Sequence, residues 1–162
     1  MPGRDFLESL SLGRSDLGAL ASLKVLAADD HAYNREVLRC LLELVGVGVD
    51  IVVDGVELVS SWEIGCYDLV LTDVQMPHMN GMAAARTIRG RERALGLGRI
   101  PIIAVTSTAD EFPLETFRKA GFDAVVPKPI VPRRLFEAIL RASDMRTGRR
   151  ARWRSSASHA AR

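Results

Sequence analysis

The chain divides into short continuous apolar runs that alternate with amphipathic stretches. Lys24-Val-Leu-Ala-Ala28 is such a run and ends on Asp29 and Asp30. Behind it Val37, Leu38, Leu41, Leu42 and Val45 share one face of a helix expected over 33–45. A second strand over 49–53 is broken by the turn pair Asp54-Gly55, and a short helix follows over 56–63. A third strand over 68–72 runs into Asp73. Met79-Asn80-Gly81 opens the next helix, expected over 82–93 and closed by Gly96-Leu97-Gly98. The fourth strand, 100–105, carries Pro101 near its start, where a missing donor is tolerated. A helix over 114–120 stops at Gly121, a fifth strand covers 124–126, and a last helix over 132–142 has Pro132 in its first turn. Residues 1–23 show no sustained period and read as a linker or lead-in, with 14–23 the more helical half.

Five strands thus alternate with five helices over 24–142. The strands are unbroken apolar runs, as burial on both faces requires. The pattern predicts a doubly wound five-stranded parallel α/β sheet. In such sheets a ligand site lies beyond the carboxyl ends of the strands. The residues at those ends carry chemistry: Asp29 and Asp30 after the first strand, Asp73 after the third, Thr106 after the fourth, Lys128 after the fifth. Three carboxylates gathered in one pocket raise one another's pKa unless a cation neutralises them. Mg²⁺ with its oxygen ligands fits that need, an ionised aspartate beside it is a usable nucleophile, and an ammonium and a hydroxyl stabilise a transferring phosphoryl group.

Composition narrows the setting. At 162 residues, 48% hydrophobic and 26% charged, the chain can fill the core of one ordinary soluble domain. No apolar run approaches the ~20 residues of a membrane span, and the first residues do not form a secretory signal. Cys40 and Cys66 match neither a metal cluster nor a disulfide framework, and Cys40, inside the apolar helical pattern, reads as a small core residue. A cytoplasmic location is the expectation. Charge is unevenly spread: the six arginines from Ser143 onward face only Asp144, giving +5, which leaves −3 for the rest of a chain whose total is +2. This tail, 143–162, with Trp153 in it, reads as a solvated disordered end; it is too short to fold as a nucleic-acid-binding unit.

The blocks Ala28-Asp-Asp30, Asp68-Leu-Val-Leu-Thr-Asp-Val-Gln-Met-Pro-His-Met-Asn-Gly81, Pro101-Ile-Ile-Ala-Val-Thr-Ser107 and Pro127-Lys-Pro129 resemble a response-regulator receiver domain of two-component signalling. They are similar to the receivers of hybrid histidine kinases, and the likeness runs from Leu23 to Ala142. The resemblance implies the flavodoxin-like receiver fold. It also implies that Asp73 accepts phosphate from the phosphohistidine of a histidine kinase or histidine phosphotransfer protein. Asp30, Asp73 and the main-chain carbonyl of Gln75 would bind Mg²⁺, with Asp29 assisting, while Lys128 pairs with the phosphoryl oxygens and Thr106 swings to bond them. Gln75 and Thr108, two residues beyond Asp73 and Thr106, would flank the path of the attacking water. Output would pass to a downstream protein through the face made by 112–120, the fifth strand and the last helix (Phe112, Leu114, Phe117, Val125, Arg133). On this reading the domain is no enzyme beyond phosphotransfer and autodephosphorylation on Asp73. Val125 stands where the family often carries an aromatic switch residue, so the resemblance does not extend to an aromatic relay and leaves the route of switching open. Two readings compete: the receiver portion of a larger hybrid kinase, and a scaffold receiver that works without phosphate. An aspartyl phosphohydrolase would place its nucleophile and second acid two residues apart after the first strand, which this chain does not. His31, His78 and His159 sit on no four-helix-bundle pattern; His78 reads as a solvated loop histidine near the site.

Overall fold

The computed structural model describes residues 2–144, with side chains from residue 5 onward. Five parallel strands, β1 (Lys24–Ala28), β2 (Gly48–Val52), β3 (Leu69–Thr72), β4 (Ile102–Thr106) and β5 (Ala124–Pro127), form one sheet in the order β2-β1-β3-β4-β5. The helices are α1 (Pro2–Ser9), α2 (Arg14–Ala21), α3 (Ala32–Leu44), α4 (Gly55–Ile64), α5 (Gly81–Leu95), α6 (Leu114–Ala120) and α7 (132–144). The expected doubly wound α/β architecture is therefore present.

Side-chain alternation along each strand feeds two separate cores, because successive residues point to opposite faces. Val25, Ala27, Leu69, Leu71, Ile103 and Val105 pack with Leu38, Leu42, Leu135, Phe136 and Ile139 from α3 and α7. Leu26, Ala28, Val70, Ile102 and Ala104 pack with Leu58, Ala85, Ile88 and Phe117 from α4, α5 and α6. This explains why β3 and β4 are apolar throughout: all their residues are buried.

Three features differ from the sequence expectation. Residues 1–23 contain two eight-residue helices: the second falls in the 14–23 half expected to be the more helical, while the first was not expected. Leu20 is fully buried and Leu10 nearly so, while Phe6, Leu7, Leu12 and Leu17 pack against the α3–α7 core. Helices this short are marginal alone and stand by tertiary packing. Cys40 is exposed, not core. The buried stripe of α3 runs through Leu38 and Leu42, and Cys40 points away from it. Asp68 lies before β3 as a buried carboxylate that accepts the Lys24 amide at 2.8 Å. The arginine tail expected to be disordered falls outside the described residues from 145 onward.

Register decides where the site forms. Ala28 pairs with Thr72, Thr72 with Ala104, and Thr106 with Pro127. Strands aligned in this way deliver Asp29, Asp73, Thr106 and Lys128 to one edge.

Candidate functional site

Asp73 comes directly after β3 and is buried. Its amide donates to Ala28 O at 2.9 Å, extending the β1–β3 ladder one residue beyond the strand and fixing the backbone. Its Oδ1 accepts the Val74 amide at 2.6 Å and its Oδ2 accepts the Lys128 ammonium at 2.8 Å. Its carbonyl takes the Thr72 hydroxyl at 2.9 Å, and Gly81 lies so close to that carbonyl that a β-carbon would collide with it. Glycine is required there for close approach of α5.

Asp29 is almost wholly buried. Oδ1 accepts the His31 amide at 2.9 Å and the Asn34 side chain at 3.2 Å, while Oδ2 accepts Lys128 Nζ at 2.6 Å. Arg35 donates to its carbonyl at 3.0 Å. Asp30 is partly buried, its carboxylate 3.0 Å from His31 Nδ1. Lys128 thus bridges two buried carboxylates, and its own amide donates to Thr106 O at 3.0 Å. Burial pulls the Lys128 pKa down, but the bonds and charges of Asp29 and Asp73 outweigh it and hold the ammonium above the ordinary lysine range.

The Lys128 ammonium meets Asp29 and Asp73, Arg35 meets only the Asp29 carbonyl, and Asp30 meets the His31 ring, so carboxylate oxygens dominate the donors of the cluster. That donor set suits a hard divalent cation. Among the described residues, Asp29, Asp30 and His31 form the group whose ligand atoms all come within 4.8 Å of one another. Asp73 is held by Lys128 instead. The Gln75 side chain is exposed on the loop beyond Asp73. The Thr106 hydroxyl, fully buried, faces Thr108 Oγ1 at 2.9 Å and accepts the Thr108 amide at 3.2 Å.

The strand-end residues Asp29, Asp73, Thr106 and Lys128 therefore gather as the sequence suggested, with Asp30 beside Asp29. On the suggested output face, Phe117 is buried against Phe112 and Phe122 in edge-to-face pairs and is a core residue. Phe112, Leu114 and Arg133 are exposed, and Val125 is half-buried against the α4–α6 core. His78 is solvated as expected, yet its Nδ1 lies 2.8 Å from the buried Asp54 carboxylate. Sequence reading also missed Asn34 and Arg35, whose one trace is a polar pair in the first turn of an otherwise amphipathic helix.

Comparison with known proteins gives the family of this fold. The response regulator receiver domain family matches residues 25–140. The chain is 38% identical over 121 residues to hybrid signal transduction histidine kinase I of Dictyostelium discoideum, covering 72% of this chain and 7% of that protein. It is 34% identical over 131 residues to sensor protein GacS of Pseudomonas syringae pv. syringae, covering 79% of this chain and 14% of GacS. It therefore spans only a small part of the curated relatives it matches. Among solved structures it resembles the receiver domain of a sensor histidine kinase from Pseudomonas aeruginosa PAO1, which has a magnesium ion coordinated in its active site cleft. The TM-score is 0.68 at 31% identity, covering 75% of this chain and 98% of that one. No described helix is long and apolar enough to cross a membrane. The chain belongs to the response regulator receiver domain family of two-component signalling.

Proposed function

We propose that this receiver accepts a phosphoryl group on Asp73 from the phosphohistidine of a histidine kinase or histidine phosphotransfer protein, and that the new charge alters a protein-binding surface. The observation that carries this reading is the Lys128 bridge. A buried carboxylate is paired with an ammonium that also bonds a second buried carboxylate, so a cation stands beside the acceptor oxygen where phosphoryl oxygens would arrive. Asp30, Asp73 and the Gln75 carbonyl would hold Mg²⁺, with Asp29 assisting. When bound, Mg²⁺ neutralises the carboxylates and polarises the phosphoryl oxygens.

In the transfer, a carboxylate oxygen of Asp73 forms the O–P bond as the P–N bond to the donor imidazole breaks, and the imidazole nitrogen keeps the electron pair and takes up a proton. Lys128 leaves Asp29 and Asp73 for the phosphoryl oxygens. Thr106 turns from Thr108 to donate to the phosphate, drawing its loop inward. A phosphorylated state with those added bonds is favoured only by the free energy the bonds supply, a population shift of the kind that new charge produces. Phe112, Leu114 and Arg133 are the exposed residues of the face we assign to output.

The test is incubation with acetyl phosphate and Mg²⁺ followed by intact mass. A gain of about 80 Da, one HPO₃ unit, is expected on the wild type and none on Asp73→Asn. Labelling of that variant, or no labelling of the wild type, defeats the reading. The low coverage of the relatives favours a second reading for the whole gene product, a receiver within a larger hybrid kinase; the gene's start codon and its neighbours decide between them.

A further inference from the structure

His78 breaks a backbone rule that its neighbours obey. Its φ is +65°, a left-handed value uncommon for a residue with a β-carbon. Met79 N donates to Pro77 O at 2.7 Å across it, which makes His78 the centre of a three-residue turn of the strained left-handed kind. Such strain persists where the surroundings over-determine it and concentrates at functional sites. Two contacts from the start of α4 supply the constraint. His78 Nδ1 donates to Asp54 Oδ2 at 2.8 Å, and the Gly55 amide donates to Met79 O at 3.0 Å. Gly55 sits so tightly on that carbonyl that no β-carbon would fit. Asp54 is itself immobilised: it is buried, and its other oxygen caps α4 by accepting the Glu57 amide at 2.8 Å.

This turn belongs to the connection between β3 and α5, which has Asp73 at its start and Gln75 just beyond it. The connection is closed on itself by the Gly81 amide, which donates to Val74 O at 2.8 Å. Gln75 therefore lies between one tie at Val74 and another at His78 and Met79. Neither Asp54 nor His78 is needed by the other for satisfaction alone. The imidazole is 72% exposed and open to water, and Asp54 keeps its capping bond without it. The bond between them instead fixes the turn.

We propose that His78 is a positioning residue for phosphoryl acceptance: clamped to Asp54, it holds its strained turn and so fixes the course of the backbone from Asp73 through Gln75, whose main-chain carbonyl belongs to the Mg²⁺ ligand set proposed above. This rests on the phosphoacceptor reading of the pocket. Residues that orient ligands from behind typically cost about 10-fold or more in metal affinity when lost. On the full chain, His78→Ala is expected to weaken Mg²⁺ binding about 10-fold by calorimetry and to slow labelling by acetyl phosphate in parallel. His78→Asn keeps a donor and tolerates the left-handed backbone, so it binds Mg²⁺ close to the wild-type level. Asp54→Ser keeps a capping hydroxyl but cannot reach His78. It therefore reproduces the His78→Ala defect and adds nothing to it in the double variant. If His78→Ala does not fold, the Asn and Ser variants carry the test. Wild-type Mg²⁺ affinity in His78→Ala, failure of His78→Asn to rescue, or additive losses in the double variant would each overturn the proposal and leave the pocket reading standing. A wild-type chain that binds no Mg²⁺ overturns the pocket reading and this inference with it.

Discussion

Lys128 shows what a single residue does here and how much of it sequence could disclose. Its place after the fifth apolar run marked it as a strand-end residue. Its bond to Asp29, 99 positions away, left no trace in spacing. Asp73, Thr106 and Asp29 were legible for the same reason as Lys128: each terminates an apolar run, and the topology does the rest. The bridge has a thermodynamic consequence. Lys128→Met would leave two buried carboxylates facing each other. Losing one partner of a buried pair costs about 3–5 kcal/mol, and the lower end applies because the ammonium keeps some water contact. Urea titration in Mg²⁺-free buffer should show that loss, with part of it restored by added Mg²⁺ through mass action. Equal stability of variant and wild type without Mg²⁺ would mean that the ammonium is not what neutralises the pair. The raised lysine pKa sets the sign of the pH dependence. The stabilisation is fully present below the unfolded value of about 10.4 and is lost as pH rises through the higher folded value. The wild type should therefore lose stability in alkali that Lys128→Met has already lost.

At the scale of elements, two ties join segments that sequence showed only as separate pieces. The first joins α5 to the starts of β4 and β5. Arg89 is buried and donates to Gly121 O at 3.0 and 2.9 Å, to Ile100 O at 2.7 Å, to both Glu92 oxygens at 3.0 and 2.8 Å, and to Asp123 at 2.9 Å. Glu92 and Asp123 in turn accept the amides of Ile100 and Ile102. In Thr87-Ile-Arg-Gly-Arg-Glu-Arg93 nothing local shows that Arg89 turns inward. Removing it takes the cation from the buried Glu92 and the donor from Ile100 O, while Arg99 still donates to Asp123 at 2.9 Å and to Gly121 O at 3.4 Å. Arg89→Leu should lose about 3–5 kcal/mol in a denaturant melt, and Arg89→Lys should recover only part, since an ammonium lacks the guanidinium fork. The second tie is the Asp54 cap of α4. The Glu57 amide, opposed by burial and helped by His78, holds the Asp54 carboxyl below its usual range. Its stabilisation is present above the unfolded pKa of about 3.9 and lost as pH falls through the lower folded value. Asp54→Asn, which cannot ionise, should flatten that part of the acid melting profile; an unchanged profile would mean that the cap does not titrate with folding.

For the whole molecule, the site and the part that sequence missed lie at opposite ends of the strands. The acidic pocket forms beyond the carboxyl ends, where apolar runs stop and charged residues begin. The α1–α2 pair is tied in at the amino ends: the Gly48 amide donates to Leu23 O at 3.0 Å, and Ala21 packs against Gly46. Two eight-residue helices broken by a turn give no period sustained along the segment, so it looked like a lead-in although Leu20 has no exposure at all. Burial of that kind decides between a tether and a part of the domain. If α2 is part of the core, Leu20→Ala should cost about 2–5 kcal/mol in a urea melt, whereas Leu95→Ala, at a side chain 69% exposed, should stay within about 0.5 kcal/mol. Because the Leu20 pocket shares no residue with the acidic cluster, folded Leu20→Ala should still take phosphate on Asp73 with an unchanged need for Mg²⁺. A Leu20→Ala chain as stable as the wild type would return residues 1–23 to the role of a tether. A stable chain that no longer accepted phosphate would instead link the amino-terminal helices to the site across the length of the sheet.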